Sequence, residues 1–117
     1  MISSNHMQIK KEIKKDAYAI KILIVESGKE IARAWLYVLF NSLHKEPFAF
    51  LEDVFVEEGY RGKGHGSALA KLAAEEAKNQ GCYKLIFTAR NIKPEVQKLY
   101  LKLGFKDWGK EFRMDLI

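Results

Sequence analysis

Apolar and polar residues alternate along the first half of the chain, and this alternation predicts β-strands. Residues 17–26 are rich in β-branched side chains and place one apolar set on a single face, namely Tyr18, Ile20, Ile22 and Ile24. Residues 31–43 alternate in the same way, and residues 48–56 form a third apolar run. Because Ser27-Gly28 is a hairpin signal between the first two runs, we expect three long strands that begin with a hairpin.

The spacing changes after residue 66, where apolar residues recur at helical intervals. Residues 67–79 are expected to form a helix, with Gly81 just beyond its end. The apolar stripe of this helix would consist of Leu69, Leu72, Ala73 and Ala77. Residues 83–88 then return to a strand-like apolar run.

The last quarter of the chain predicts a second helix and two short strands. Pro94 suits the first turn of a helix, and Gly104 stands where a C-cap glycine is expected. The apolar stripe of this helix would be Val96, Leu99, Tyr100 and Leu103. Short strands are expected near residues 105–108 and 112–116. The order of three strands, helix, strand, helix and two strands predicts an α/β (α+β) mixed sheet flanked by helices.

The 117 residues are expected to form one domain, which can bury a core without disulfides. That domain would span residues 8–117. Residues 1–7 are interpreted as an expression-tag remnant or a disordered tail, outside the fold, and no metal site is expected. Residues 8–15 are rich in lysine and fit either a short edge strand or a frayed helix.

The composition excludes some function classes but does not indicate a particular function. Hydrophobic residues make up 48% of the chain and charged residues 30%, which is an ordinary globular balance. No apolar run approaches the ~20 residues of a membrane helix, and no signal peptide is visible. The single cysteine, Cys82, fits a reducing compartment and is interpreted as a buried filler instead of a nucleophile. We therefore expect a cytoplasmic protein that does not contact a membrane.

The formal net charge of +5 leaves two interpretations open. A basic surface can bind nucleic acid, but the chain lacks the interleaved aromatic and basic residues of a single-strand platform. A solvated face rich in Lys and Glu explains the same charge, so nucleic acid is not expected as a partner. An anionic ligand would use part of the basic excess.

The strongest chemical signal is the loop at residues 60–66, which reads Tyr-Arg-Gly-Lys-Gly-His-Gly. Three glycines at alternate positions let the backbone bend and approach a ligand closely. The loop leads into a helix, whose first N–H groups and dipole favour an anion. The spacing fits neither the dinucleotide pattern G-x-G-x-x-G nor the nucleotide P-loop. The loop therefore predicts a site for a phosphate or pyrophosphate of another kind.

Three motifs give the chain a family resemblance. Arg61, Gly64 and Gly66 fit [QR]-x-x-G-x-[GA], and the chain here resembles the GNAT superfamily of acyl-CoA N-acyltransferases. Residues 99–105, Leu-Tyr-Leu-Lys-Leu-Gly-Phe, are similar to the L-Y-x-K-x-G-F pattern of that superfamily. Residues 50–62 look like the L-E-D-x-[FY]-V and Y-R-G stretch of the spermidine/spermine N-acetyltransferase-like branch. The resemblance covers about residues 17–117.

The resemblance implies a GNAT-like fold that uses acetyl-CoA as co-substrate. In such an enzyme a primary amine attacks the acetyl group directly in a ternary complex. Family members usually place two helices between their first and second strands, whereas the first long strand here is predicted to begin at residue 17. We therefore expect the N-terminal helical pair to be reduced or absent. The acceptor site would then be open, or completed by another subunit of a homodimer.

Two residues are implied as catalytic. Glu52 matches the glutamate of the L-E-D stretch, a general base that acts through water. Strand alternation places Glu52 on the same face as Val54 and Val56, and Asp53 on the other face as a structural residue. Tyr100 matches the motif tyrosine that hydrogen-bonds or protonates the departing thiolate. The alternatives are an edge carboxylate paired with a lysine for Glu52 and a core aromatic for Tyr100.

The same resemblance implies a set of cofactor-binding residues. The backbone of residues 54–56 would pair with the pantetheine arm, and the N–H groups of residues 62–67 would hold the pyrophosphate. Arg61 would contact a phosphate or brace the loop. Asn91 is a weaker candidate, because the family asparagine lies where this chain has Lys93. The whole set is Val54, Phe55, Val56, Arg61, Gly62, Lys63, Gly64, His65, Gly66, Ser67 and Asn91.

The acceptor is left open between several classes. A small polyamine-like or amino-acid amine fits the acidic strand end, which holds Glu52, Asp53, Glu57 and Glu58. A protein lysine or N-terminal amine would fit an acceptor site that lacks its helical pair. A non-catalytic CoA-binding module would keep the glycine loop but would not need Glu52 or Tyr100. A basic nucleic-acid-binding domain is the remaining alternative.

Overall fold

Four strands form one mixed sheet in the computed structural model, which describes residues 7–88 and 94–117. The strands are β1 Tyr18–Glu26, β2 Lys29–Leu39, β3 Phe48–Val56 and β4 Leu85–Phe87, and they lie side by side in that order. The first three are antiparallel to one another, whereas β4 is parallel to β3. The predicted mixed sheet is therefore confirmed.

The β1–β2 hairpin closes as its sequence predicts. Ser27 and Gly28 have φ values of 52° and 78°, so both turn residues are left-handed. Two left-handed residues form the tight turn whose twist matches that of antiparallel strands. Glu26 pairs with Lys29 directly across this turn.

Two helices accompany the sheet. Helix α1, His65–Asn79, connects β3 to β4, and α2, Pro94–Lys102, follows β4. Helix α1 ends at a left-handed Gly81, where the Cys82 N–H donates to the Ala77 carbonyl at 3.0 Å. Helix α2 ends the same way at Gly104, which confirms both predicted ends. None of the helices in the described ranges has both the length and the apolar character to cross a membrane.

The core lies between the sheet and α1. Alternate residues of β2 are fully buried, and the α1 residues packed on them are mostly small: Ala32, Ala34, Leu36, Val38, Leu69, Ala70, Ala73 and Ala77. The alanines allow the helix to lie close to the strands. Leu72 was predicted in this stripe but is 42% exposed, and Ala70 is buried instead. The helix is therefore rotated slightly from the predicted orientation.

The N-terminal residues of the described chain lie outside the sheet and the helices. Residues 7–17 form neither a strand nor a helix, so neither alternative for residues 8–15 is realised. No helical pair precedes β1 in the described residues, which agrees with the reduced helical part that we expected.

The two C-terminal strands predicted near 105–108 and 112–116 do not form. Residues 105–117 have no strand partner in the described structure, and Trp108 and Phe112 are each 91% exposed. A strand requires a neighbour that accepts and donates its backbone hydrogen bonds. An alternating pattern without such a neighbour does not form a strand.

Leu36→Ala should destabilise the fold by about 2–5 kcal/mol, because Leu36 has no exposed surface and its truncation leaves a cavity. Urea unfolding measures the change. The matched control is Leu23→Ala on the open face of β1, where the leucine is 44% exposed and the cost should stay below about 1 kcal/mol. Equal losses in the two variants would mean that the core is not on the α1 side of the sheet.

Candidate active site

A cavity of about 320 Å³ lies where β3 and β4 separate. Strand β4 pairs only with Ala49–Leu51, so the rest of β3 has no strand on that side within the described residues. The cavity is lined by Leu51, Glu52, Asp53, Val54, Phe87, Thr88 and Tyr100. Strand β4 ends here beside its parallel neighbour β3, and the carboxyl ends of parallel strands are a common place for ligands. Both predicted catalytic residues therefore line one cavity.

A β-bulge interrupts β3 at the cavity. Trp35 pairs with Glu52 and Arg33 pairs with Phe55, so two residues of β3 lie opposite the single residue between them on β2. Asp53, in the bulge, has a φ of 53°, a left-handed conformation that aspartate tolerates better than most residues. The left-handed Asp53 thus occupies the position where the strand register shifts.

The bulge also changes which side chains share a face. Glu52 lies opposite Trp35, on the sheet face turned away from α1, whereas Val56 lies opposite the buried Ala32. The prediction that Glu52 and Val56 share a face is therefore wrong. It assumed strict alternation, and one extra residue in a strand reverses the alternation beyond it.

Tyr100 lies in an aromatic cluster at the inner side of the cavity. Its ring centroid is 4.8 Å from that of Phe87 and 6.2 Å from that of Phe105, in edge-to-face arrangements. Burial raises the pKa of the Tyr100 phenol. The phenol therefore stays protonated at neutral pH and can donate a hydrogen bond. These rings also fix its direction, because α2 makes few other contacts with the sheet.

Glu52 is exposed at the rim of the same cavity. In residues 7–88 and 94–117 it takes part in no ion pair, so the alternative of a carboxylate paired with a lysine has no support there. The carboxylate is accessible to water and to a molecule entering from the open face of the sheet.

The glycine loop leads into an uncapped helix start. Gly62 and Gly64 have left-handed φ values of 79° and 85°, and Gly64 is the N-cap of α1. No side chain caps this end, and the first turn has no acidic residue. The Ser67 hydroxyl donates to the Gly64 carbonyl at 3.2 Å, which leaves the first N–H groups of the helix for other partners. A Cβ at Gly66 would meet no atom within 4 Å.

These features fit a pyrophosphate. Anions are stabilised at a helix N-terminus by its N–H groups and dipole, and by nearby basic side chains. Here Lys63 and His65 are in or next to the loop, and the space beside Gly64 and Gly66 is open. Helix α1 begins at His65, two residues earlier than predicted, so the loop glycines and the first turn are directly continuous.

Arg61 braces the loop against the end of β3. Its Nε donates to the Val56 carbonyl at 2.8 Å, and its guanidinium lies 5.3 Å from the centroid of the Phe55 ring. Arg33 lies 5.1 Å from the same ring and hydrogen-bonds Glu57 just before the loop. The Phe55 ring therefore lies close to two guanidinium groups, and each cation–π contact is favourable electrostatically.

Arg33 belongs to a small charged group on the open face of the sheet. It hydrogen-bonds both Glu30 and Glu57, and with Lys21 it lowers the pKa of the Glu30 carboxyl. The same two carboxylates, Glu57 foremost, raise the pKa of Arg33. Sequence reasoning did not find this group, because its members lie on three different segments.

Sequence reasoning also missed Phe87 and Thr88, which line the cavity at the end of β4. Their position at the carboxyl end of a parallel strand was the available signal. Asn91, the weaker candidate for cofactor binding, lies outside the described residues.

Comparison with known proteins assigns the family. The Acetyltransferase (GNAT) family matches residues 3–105, most of the chain. This chain belongs to the GNAT family. The GNAT chain also resembles a solved acetyltransferase structure from Trypanosoma brucei, with a TM-score of 0.74 and 28% identity, over 84% of this chain and 69% of that one.

Two curated relatives are similar in sequence. A glucosamine 6-phosphate N-acetyltransferase of Trypanosoma brucei brucei is 38% identical over 66 residues, which cover 56% of this GNAT chain and 43% of the relative. A thialysine N-epsilon-acetyltransferase of Bos taurus is 36% identical over 72 residues, which cover 62% and 42% respectively. The matched stretch thus spans less than half the length of either relative.

Gly64→Ala should lower the free energy of unfolding by about 1–2 kcal/mol, because alanine is strained at the left-handed φ of the N-cap. Gly66→Ala is the matched control. It lies within α1 without a left-handed φ, and alanine there should be neutral or slightly stabilising. Thermal or urea unfolding of both variants measures the difference. Equal stability of the two variants would contradict a left-handed Gly64.

Proposed function

We propose that this GNAT chain catalyses acetyl-CoA-dependent N-acetylation of a primary amine, by direct attack within a ternary complex. The observation that most supports this proposal is the single cavity lined by both Glu52 and Tyr100. A general base and a hydrogen-bond donor at one opening are what acyl transfer to an amine requires. Membership of the GNAT family supports the choice of acyl donor.

The glycine loop and the open edge of β3 would hold acetyl-CoA. The N–H groups from Gly62 to Ser67 would bind the pyrophosphate, with Lys63 adding positive charge and His65 at the first position of the helix. The backbone of residues 54–56 would pair with the pantetheine arm, because no described strand pairs with β3 on that side. Arg61 would position the loop through Val56 and Phe55 instead of binding a phosphate. Asn91 stays a proposed contact.

Glu52 would accept the proton of the acceptor. A lysine-like amine has a pKa of about 10.4, so at neutral pH most of it is an ammonium without a free lone pair. The Glu52 carboxylate, exposed at the cavity rim, would take that proton directly or through a water molecule. Bound acetyl-CoA would supply the activated acetyl carbon that the neutral amine attacks.

Tyr100 would stabilise the departing sulfur. Its phenol has a raised pKa, and a thiol has a pKa of about 8.5, so complete proton transfer from the phenol to a thiolate is unfavourable. The phenol would therefore act mainly as a hydrogen-bond donor to the developing negative charge. Its fixed position between Phe87 and Phe105 would reduce the reorganisation needed at that moment.

The acceptor is proposed to be a small amine, polyamine-like or derived from an amino acid. The names of the two relatives specify thialysine and glucosamine 6-phosphate, and both are amines of low molecular mass. Glu52 and Asp53 at the cavity would attract a cationic acceptor. The alternative acceptor is a protein lysine or N-terminal amine, favoured by the open sheet face beside Glu52.

A thermal-shift titration with acetyl-CoA, followed by a thiol-release screen of amines, tests the proposal. Acetyl-CoA should raise the melting temperature, because it binds the folded state. The amines should include spermidine, lysine, glucosamine 6-phosphate and a lysine-containing peptide. Binding without thiol release for any amine would favour a CoA-binding module. Salt-dependent binding of DNA with no response to acetyl-CoA would favour a nucleic-acid-binding domain.

Glu52→Gln should lower kcat by about 10²–10⁴-fold, because the amide cannot accept a proton. The dissociation constant of acetyl-CoA should stay within about twofold, since the carboxylate is not among the groups proposed to bind it. Asp53→Asn is the matched control, because asparagine also tolerates the left-handed conformation of the bulge. A larger loss of kcat in the Asp53→Asn variant than in Glu52→Gln would mean that Asp53, and not Glu52, is the base.

Tyr100→Phe should lower kcat about tenfold or more, with little change in acetyl-CoA affinity, because one donor to the departing sulfur is lost. Since the phenol pKa is raised, the advantage of the wild type should persist through pH 7–9 and decline only above the ordinary tyrosine pKa of about 10. Tyr83→Phe, on an exposed tyrosine, is the control. If the ratio of wild-type to Tyr100→Phe kcat fell already near neutral pH, the phenol would not be the donor.

A further inference from the structure

Arg33 lies on β2 where the register between β2 and β3 shifts. It pairs with Phe55 across the two strands, and 23% of its side chain is exposed. Its neighbours Ala32 and Ala34 belong to the core that packs on α1, so the Arg33 side chain is on the other face of the sheet. The described residues that line the cavity near Glu52 do not include Arg33. Any effect of Arg33 on the candidate active site must therefore pass through other residues.

Two carboxylates bind the Arg33 guanidinium. Its Nε donates to Glu30 on the same strand, and its Nη2 donates to Glu57, the residue directly after β3. Glu30 is also paired with Lys21, whose Nζ lies 3.1 Å from Glu30 Oε1. A planar guanidinium can donate to two acceptors in fixed directions, whereas a lysine ammonium has no such fork. The bridge from β2 to the residue that follows β3 therefore requires arginine.

Glu57 is the residue at which the chain leaves the sheet for the glycine loop. Its N–H donates to the Ile31 carbonyl on β2 at 2.8 Å. Its carbonyl accepts a hydrogen bond from the Tyr60 N–H at 3.1 Å, which closes a turn over residues 57–60. Its carboxylate accepts a hydrogen bond from Arg33. These three contacts together fix the direction in which the glycine loop begins.

A second set of contacts joins Arg33 to the loop. The Arg33 guanidinium lies 5.1 Å from the centroid of the Phe55 ring, and the Arg61 guanidinium lies 5.3 Å from the same centroid. Arg61 also donates to the Val56 carbonyl at 2.8 Å. Both cation–π contacts are attractive. The Phe55 ring thus connects Arg33 to a residue of the loop itself.

We propose that Arg33 is a positioning residue for acetyl-CoA. It would hold Glu57 and Phe55, and through them it would set the position of the loop whose N–H groups bind the pyrophosphate. The inference rests on the proposed function, because it names a residue that controls the proposed cofactor site without touching the cofactor. Hydrogen bonds from backbone N–H groups weaken steeply when the donor is misaligned. A small displacement of the loop should therefore be costly to binding.

The glycines of the loop make this outside contact important. Gly62 and Gly64 have left-handed φ values of 79° and 85°. Glycine has more conformational freedom than any other residue, so ordering such a loop around a ligand costs entropy. A loop that is already held in place loses less entropy on binding and binds more tightly. Arg33 should therefore affect the affinity for acetyl-CoA and leave the chemical step at Glu52 and Tyr100 nearly unchanged.

A simple charge effect makes a different prediction for Glu57. If Arg33 acted only by its positive charge, the neighbouring Glu57 carboxylate would repel the pyrophosphate. Removal of that carboxylate would then strengthen binding. If Glu57 helps to position the loop, its removal should weaken binding. Glu57→Ala therefore separates the two explanations.

Calorimetric titration with CoA tests the inference. Arg33→Gln should raise the dissociation constant about tenfold. The kcat at saturating acetyl-CoA, measured with the most active amine of the thiol-release screen, should change less than about twofold. Lys21→Gln is the matched control, because it removes the same charge from the same Glu30 carboxylate. In the described structure Lys21 has no ion pair with Glu57, so the control should bind CoA as the wild type does.

Two further measurements separate positioning from a general loss of structure. S-acetylpantetheine, which lacks the pyrophosphate, should serve Arg33→Gln and Lys21→Gln equally well as acyl donor. Trypsin should cleave after Lys63 faster in Arg33→Gln than in Lys21→Gln, a readout that needs no cofactor. If Arg33→Gln does not fold, Arg33→Lys replaces it and should also weaken CoA binding, because an ammonium lacks the fork that bridges both carboxylates.

Equal CoA affinity of Arg33→Gln and Lys21→Gln would overturn the inference. Stronger binding by Glu57→Ala would also overturn it, and so would an unchanged dissociation constant with a lower kcat in Arg33→Gln. A wild type that does not bind CoA would overturn the proposed function together with the inference. A wild type that binds CoA, with Arg33→Gln binding equally well, would overturn the inference alone.

Discussion

The incomplete pairing of β3 with β4 is the constraint on which the candidate active site depends. The first half of β3 has a neighbour on each side and belongs to the sheet, whereas the second half has β2 alone among the described strands. The bulge at Asp53 lies at this transition and bends the strand where its pairing ends. The cavity, the free backbone edge and the exposed Glu52 all follow from this one change of pairing.

The glycine loop is coupled mechanically to the same strand. Phe55 lies just past the bulge and contacts both Arg33 and Arg61. Arg61 also hydrogen-bonds the carbonyl at the strand end. The position of the helix start is therefore set by the strand that forms the cavity. The proposed anion site and the proposed extended edge are thus kept in a fixed relation by these contacts.

The two faces of the sheet are covered unequally. Helix α1 covers one face with a tightly packed core of alanine and leucine, and the opposite face has no helix over it in the described part of the chain. Strand β4 and α2 are joined mainly through Phe87, Tyr100 and Phe105. These three half-buried rings pack against the edge of the core cluster, so the direction of Tyr100 depends on contacts among three separate segments.

The sequence alone determined the elements whose signals are local. Period-two and helical patterns located the first three strands and both helices, and glycines at left-handed positions marked the hairpin and the helix ends. Motif matching identified the family and led to the prediction that Glu52 and Tyr100 are catalytic. Local patterns could not reveal the bulge that moves Val56 to the other face from Glu52, because register depends on the neighbouring strand. Local patterns also could not show whether residues 112–116 pair with another strand. They could not show that Phe87 contacts Tyr100, or that Arg33 and Phe55 contact the residues beside the glycine loop. Each of these depends on contacts between segments distant in sequence.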